Sequence, residues 1–287
     1  MGSAGKSKRT GNRRLLTVVL VLVLLVGLCV LFYPSVSNWW NERASTRAIF
    51  SYDETVSGLS EEATAVYIEA AEAYNAELAD IGSYKALVGD PPDGYEDILD
   101  ITGTGIMGYI TIEKIDVELP IYHGTSDSVL SSGAGHLEGS SLPVGGGSTH
   151  CVISAHRGLP SALMFTRLDE LEEGDIFTIT VLDRVLTYEV DQITIVLPEE
   201  AEGIYIQDGK DYCTLMTCTP YGINTHRLLV RGVRVDNADA ALIHVAAEAR
   251  QINTLAVAAV AAVPLLLLLL VCLSVRTRRR KKKGGEP

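Results

Sequence analysis

The sequence predicts a mainly β domain that closes, or nearly closes, into a barrel, preceded by a helical region and held between two membrane helices. Three observations carry this expectation. Leu15–Tyr33 and Leu255–Val275 contain no charged residue over 19 and 21 positions, enough at about 1.5 Å per residue to cross a hydrocarbon core about 30 Å thick. From Met107 onward the chain breaks into short β-branched runs separated by Gly, Pro and Asn, the texture of an all-β barrel. Between Ser45 and Leu87, apolar residues recur at helical spacing among acids.

The elements follow in order. Residues 1–14 form a basic tail with Lys6, Lys8, Arg9, Arg13 and Arg14, and 276–287 form another with Arg276, Arg278–Arg280 and Lys281–Lys283. Such flanks mark the cytoplasmic side of a span, so both tails are expected inside and the intervening domain outside. The first span, 15–33, has an alternative reading as a cleaved signal peptide, because Ser35-Val36-Ser37 is a small-x-small triplet. Its length exceeds the roughly 7–15 residues of a signal core, and Tyr33, Trp39 and Trp40 suit the interfacial belt of a retained helix. Residues 34–104 are expected as an extracytoplasmic helical region. Within it Ser60 is an N-cap followed by Glu61 and Glu62, and Tyr67, Ala71, Tyr74 and Leu78 form the apolar stripe. Gly89–Gly94 is a turn-rich break. Strands are expected at Gly108–Val117, Cys151–Ser154, Ile176–Val181, Val185–Val196, Tyr212–Cys218 and His226–Val235, within a barrel domain spanning 105–236. Ala162–Leu171 reads as one short helix, with Asp169 and Glu172 on its solvated face. A juxtamembrane linker, 237–254, leads to the second span at 255–275, where Pro264 is tolerable.

Charge narrows the partners. The chain has 24 Lys+Arg against 36 Asp+Glu; the tails hold 12 of the bases and 1 of the acids, so what lies between is net −23. That surface argues against nucleic acid, whose binding needs a basic footprint. The six histidines show no metal-ligand spacing and no C-x-x-C occurs, so no metal is expected. Gly103–Gly108 spells G-x-G-x-x-G, but a turn precedes it and a strand follows, the reverse of a dinucleotide site. Of five cysteines, Cys29 and Cys272 lie in the spans; Cys213 and Cys218 on one extended run stand about 16 Å apart, too far to bridge. Pairing of Cys151 with either is left open by the sequence.

Candidate chemistry sits at strand ends. Tyr212–Cys218 reads as a buried strand ending at Cys218, and a hairpin return over His226–Val235 brings Arg227 back beside it. His156 follows the Cys151–Ser154 strand. Thiol, imidazole and guanidinium are the parts of acyl transfer: a nucleophile, a proton carrier and a cation for the oxyanion or substrate backbone.

Thr214-Leu215-Met216-Thr217-Cys218 with Arg227 nine residues later resembles the TLxTC…R signature of sortases. The likeness continues in Gly105–Ile110, Leu119–Thr125, Gly135–Gly139, Ala155–Pro160 and Cys218–Arg227, and covers roughly Ala48–Asp236 in the manner of class C sortases, the pilin polymerases of Gram-positive bacteria. The resemblance implies an eight-stranded sortase barrel with Cys218 as nucleophile, His156 as acid/base, Arg227 as oxyanion or substrate support and Thr217 against the substrate. It implies cleavage of an LPxTG-like sorting signal between Thr and Gly, with no metal or organic cofactor. The thioacyl enzyme would then be resolved by a lysine of another pilin, forming an isopeptide bond. Asp90-Pro91 matches the start of a class C lid over about 89–95, with Pro92 where an aromatic is usual and Tyr95 a candidate plug. The alternatives are a sortase that anchors proteins to cell-wall peptide and a non-catalytic surface receptor or adhesin.

Overall fold

A computed structural model describes residues 6–89, 91–200 and 202–237, all within the compact unit Met1–Ile243. The expected second span, its basic tail and Asp90 lie outside the described residues. Helix α1 runs Lys6–Ser57, through Pro34, as one element of 52 residues. Within it Thr17–Ser57 is the one helix among the described residues long and apolar enough to cross a membrane. The first apolar stretch and the start of the helical region are thus a single rod.

Helix α2 (Glu61–Ile81) starts where expected: the Ser60 hydroxyl accepts the Ala63 amide, and Glu61 and Glu62 occupy the positive end of the helix dipole. Its buried stripe is Thr64, Ile68, Ala71, Tyr74, Asn75 and Leu78. Asn75 ties it to the barrel, accepting from the Leu142 amide at 2.7 Å and donating to the Leu142 carbonyl at 3.0 Å. Helix α3 (Ser83–Val88) follows after Gly82.

Eight strands close the barrel in the order β1-β2-β3-β4-β7-β8-β6-β5. They are β1 (Ile106–Ile112), β2 (Val117–His123), β3 (Ala134–His136), β4 (Thr149–Ser154), β5 (Ile176–Val181), β6 (Arg184–Val196), β7 (Asp211–Thr219) and β8 (His226–Val235), with a one-turn α4 (Asp127–Leu130) before β3. Inward residues such as Ile110, Ile121, Ile153, Phe177, Tyr188, Leu215 and Val230 form one core with the buried faces of α2 and α3. Closure demands tight strand contacts. A Cβ at Gly108 would stand 2.4 Å from the Thr180 carbonyl oxygen of β5, at the point where the β1–β2 register slips.

Two expectations need correction. The single strand Gly108–Val117 is two: a 3-10 turn at Glu113–Ile115 and a left-handed Asp116 (φ 53°) reverse the chain into β2. The helix expected over Ala162–Leu171 reduces to a 3-10 turn at Leu168–Glu170. Met164 has φ 41°, and the Phe165 amide is given to the His156 carbonyl instead of a helical partner. Strand β3 is too short for an alternation to show.

Candidate active site

Strand alternation sorts the site residues. Along β4 and β7, Cys151, Ile153, Ala155, Cys213 and Leu215 belong to the inner core, so Ser154, Met216 and Cys218 face the other way. That outer face has its own small core, where Val152, Leu229 and Ile204 pack with Leu87, Leu137, Val196 and Met216. It forms the floor on which the candidate site stands.

Cys218 and Arg227 are direct partners in the antiparallel β7–β8 ladder, and Arg227 is in turn opposite Val196 of β6. Strand β4 runs parallel to β7, in register up to Ser154–Met216. The pairing continues beyond the strand: the Ala155 amide donates to the Met216 carbonyl at 3.2 Å, and the Thr217 hydroxyl to the Ala155 carbonyl at 2.8 Å. His156 and Cys218 each lie two residues beyond that last ladder pair. Imidazole, thiol and guanidinium therefore come from one row across β4, β7 and β8, and all three residues are half-buried. Among the described residues, the Arg227 guanidinium donates to the main-chain carbonyls of Asn224 (3.4 Å) and His226 (3.2 Å). No carboxylate among the described residues holds it.

Neighbouring side chains stitch the row together. Arg157 pairs with Asp169 at 2.6 Å and reaches the Thr219 hydroxyl at 3.4 Å, so it joins the segment after His156 to the end of β7. Asp169 is therefore an ion-pair partner and not merely a solvated acid. Tyr221 lies against Gly158, where an added Cβ would meet its ring at 3.1 Å, so the loop after β7 touches the segment after His156. In the sequence Asp169 read as a solvated acid, and neither Arg157 nor Tyr221 carried a signal of its own.

The remaining expected residues fall elsewhere. Thr217 is buried, with its hydroxyl committed to Ala155. Tyr95 is a core residue and not a plug over the cleft. Its hydroxyl lies 2.9 Å from His136 Nδ1 and accepts the Gly124 amide, and its ring meets those of Tyr74, His123 and His136. Pro91 is half-buried at the start of the loop. Three other histidines are structural: His123 bridges the Gly105 and Ile98 carbonyls, His136 the Tyr95 hydroxyl and Ser141 carbonyl, and His150 the Tyr205 carbonyl and Thr214 hydroxyl. Gly103 and Gly105 both have positive φ in the turn leading into β1, so the glycine pattern there serves a turn.

A half-buried cysteine in a row with histidine and arginine, on the outer face of a closed barrel of this strand order, defines a cysteine acyl-transfer enzyme of sortase type. A sortase domain model matches residues 110–235. Among solved structures, sortase C1 from Streptococcus agalactiae is 49% identical, covering 67% of this chain and 99% of that chain with a TM-score of 0.61. Sortase C from Streptococcus pneumoniae, in a structure described as informing catalysis and pilin substrate specificity, is 46% identical over 66% and 97% of the two chains, TM-score 0.58. Clostridium perfringens sortase C, solved with the C-terminal cell wall sorting motif, is 44% identical over 67% and 100%, TM-score 0.60. Two curated sortases, 34% and 33% identical, are matched over 63% and 47% of their own length. The chain belongs to the sortase family of cysteine transpeptidases, among the class C sortases.

Proposed function

We propose that this chain is a membrane-anchored pilin transpeptidase acting on LPxTG-like sorting signals. The Cys218 thiolate attacks the carbonyl carbon of the Thr–Gly bond, while the Arg227 guanidinium faces the developing oxyanion. His156 protonates the departing glycine amine, leaving a thioester on Cys218. A lysine ε-amine of a second pilin then gives a proton to His156 and attacks the thioester, so an isopeptide bond forms and the Cys218 thiolate leaves, restoring the starting pair. Thr217 acts from behind, holding the His156 segment against β7 through Ala155. Asp90 and Pro91 begin a lid above this row, and the barrel stands outside the membrane with α1 as its anchor.

The observation that carries this reading is the shared register row of His156, Cys218 and Arg227. The solved sortase with a sorting motif supports the substrate class, and the study of pilin specificity in a relative supports the acceptor. The test is incubation of the purified protein with a sorting-signal peptide and, separately, a lysine-bearing pilin or a cell-wall peptide amine. Wild type is expected to release the glycine fragment and join the signal to the pilin lysine, and Cys218→Ala to do neither while keeping its fold. Cleavage by Cys218→Ala at the wild-type rate would refute the nucleophile; transfer only to the cell-wall amine would refute pilin polymerisation.

A further inference from the structure

The transpeptidation above uses one thiol, yet the barrel holds two more. Cys151 of β4 and Cys213 of β7 are direct register partners on adjacent parallel strands. Both belong to the inner core, where they are 2% and 0% exposed, and both are free thiols. Directly paired strand residues lie about 5 Å apart between Cα atoms, inside the roughly 4.4–6.8 Å range that a disulfide spans. Burial opposes charge on either sulfur and pushes Cys213 well up. At Cys151 the hydrogen bonds from Cys213 and His136 outweigh burial and bring the thiol below its usual range. The two thiols are thus in electrostatically unlike surroundings in the finished barrel. Thiols in an oxidising space do not ordinarily stay paired in register and unlinked.

We propose that Cys151 and Cys213 are a modification site, joined as a disulfide by exchange with an extracytoplasmic disulfide donor while β4 and β7 come together. The inference rests on the reading that the barrel stands outside the membrane. The Cys151 thiolate attacks one sulfur of the donor disulfide, giving a mixed disulfide and expelling the donor's other sulfur. Deprotonated Cys213 then attacks the Cys151 sulfur and expels the second donor sulfur. Two protein thiols are oxidised, one donor disulfide is reduced to two thiols, and the two protons pass from protein to donor. Because both sulfurs are buried in the finished barrel, the exchange belongs to its assembly. Cys218 takes no part: it lies five positions further along β7, about 16 Å away, and on the opposite face. The link would fix the β4–β7 register that carries His156 and Cys218.

The test is to denature and reduce the full-length protein, refold it in detergent with reduced and oxidised glutathione, alkylate free thiols and map them by mass spectrometry. The expected result is a cross-linked Cys151–Cys213 peptide two hydrogens lighter than the reduced pair, with Cys218 alkylated. Dithiothreitol should lower the unfolding midpoint of wild type but not of Cys151→Ser/Cys213→Ser. Full alkylation of Cys151 and Cys213, or linkage of either to glutathione or Cys218, overturns the proposal. Peptide cleavage measured on the same sample keeps the two readings apart. Cleavage without the cross-link sinks the disulfide alone, and the cross-link without cleavage sinks the transpeptidase reading alone.

Discussion

The guanidinium of Arg227 is half-buried and, among the described residues, bonded through one nitrogen to main-chain carbonyls of its own hairpin, so the rest of its fork can meet substrate oxygens. Lysine keeps the charge and loses the planar pair of donors. Arg227→Lys is therefore expected to lower kcat/KM about 10²-fold, the scale of a lost oxyanion donor, and His156→Ala at least as much. Rates near wild type in steady-state cleavage of a sorting-signal peptide would remove those roles. A second residue governs pH dependence of stability. His150 is buried with Nδ1–H given to the Tyr205 carbonyl and Nε2 accepting the Thr214 hydroxyl, so its neutral form is the one the fold holds. Burial, with Arg231 nearby, brings its pKa from 6.5 to about 4. The unfolded chain then binds the extra proton first. The stabilisation is complete above pH 6.5 and is lost as pH falls toward 4, by about 3 kcal/mol in total. Denaturant titrations at pH 7 and 4.5 should show that loss, and His150→Gln should reduce it; an equal loss in the variant would exclude His150 as its source. Cys218 and Arg227 were legible in the sequence because a hairpin brings residues nine apart into one row. Thr217 and Tyr95 were not, because the face a side chain takes depends on the strands and helices packed behind it.

Local signals did best where an element is its own explanation. The Ser60 cap, the stripe of α2 and strands β5 to β8 all lie within two residues of expectation, since each rests on capping or alternation within its own span. The parallel β4–β7 pairing that leads to His156 and Cys218 had no such signal, because its strands are far apart in sequence and the pair is fixed by barrel closure. The packing of α3 shows the same dependence. Gly139 has φ +84°, and an added Cβ would stand 2.5 Å from the Ala86 carbonyl oxygen and 3.0 Å from the Leu87 Cα of α3. Leu87 packs on the floor beside the site, so Gly139→Ala must part α3 from the Gly139 turn and loosen that floor. Faster alkylation of Cys218 by a thiol reagent is expected in Gly139→Ala, and also in Asp90→Ala if Asp90 helps the lid close. Rates equal to wild type in both variants would leave 89–95 as a plain linker.

At the scale of the molecule, α1 is longer than a membrane requires. From Thr17 to Ser57 it has 41 residues and at 1.5 Å each is about 60 Å long, whereas a hydrocarbon core takes about 30 Å. The second half is bound to the barrel. The Tyr52 hydroxyl donates to the Met107 carbonyl and accepts the Leu182 amide, Asn41 donates to the Ser161 carbonyl, and Asn38 accepts the Leu163 amide. Ser161 and Leu163 follow closely on His156 and Arg157, so the rod grips the segment that leaves the active-site row. That grip begins inside the aromatic stretch Tyr33–Trp40, at Asn38, and no loop intervenes. If α1 is the anchor, its continuity fixes how high the cleft stands above the lipid, which matters only for a substrate itself held in the membrane. Inserting Gly-Gly-Ser between Ser35 and Val36 breaks the rod but spares the contacts from Asn38 onward. The expected outcome is an unchanged rate on a soluble sorting-signal peptide and a loss of about tenfold or more on a membrane-anchored pilin in vesicles, since small misplacements of reacting groups carry costs of that order. An equal effect on both substrates would show that the insertion disturbs the barrel. No effect on either would show that α1 tethers the enzyme without setting its height.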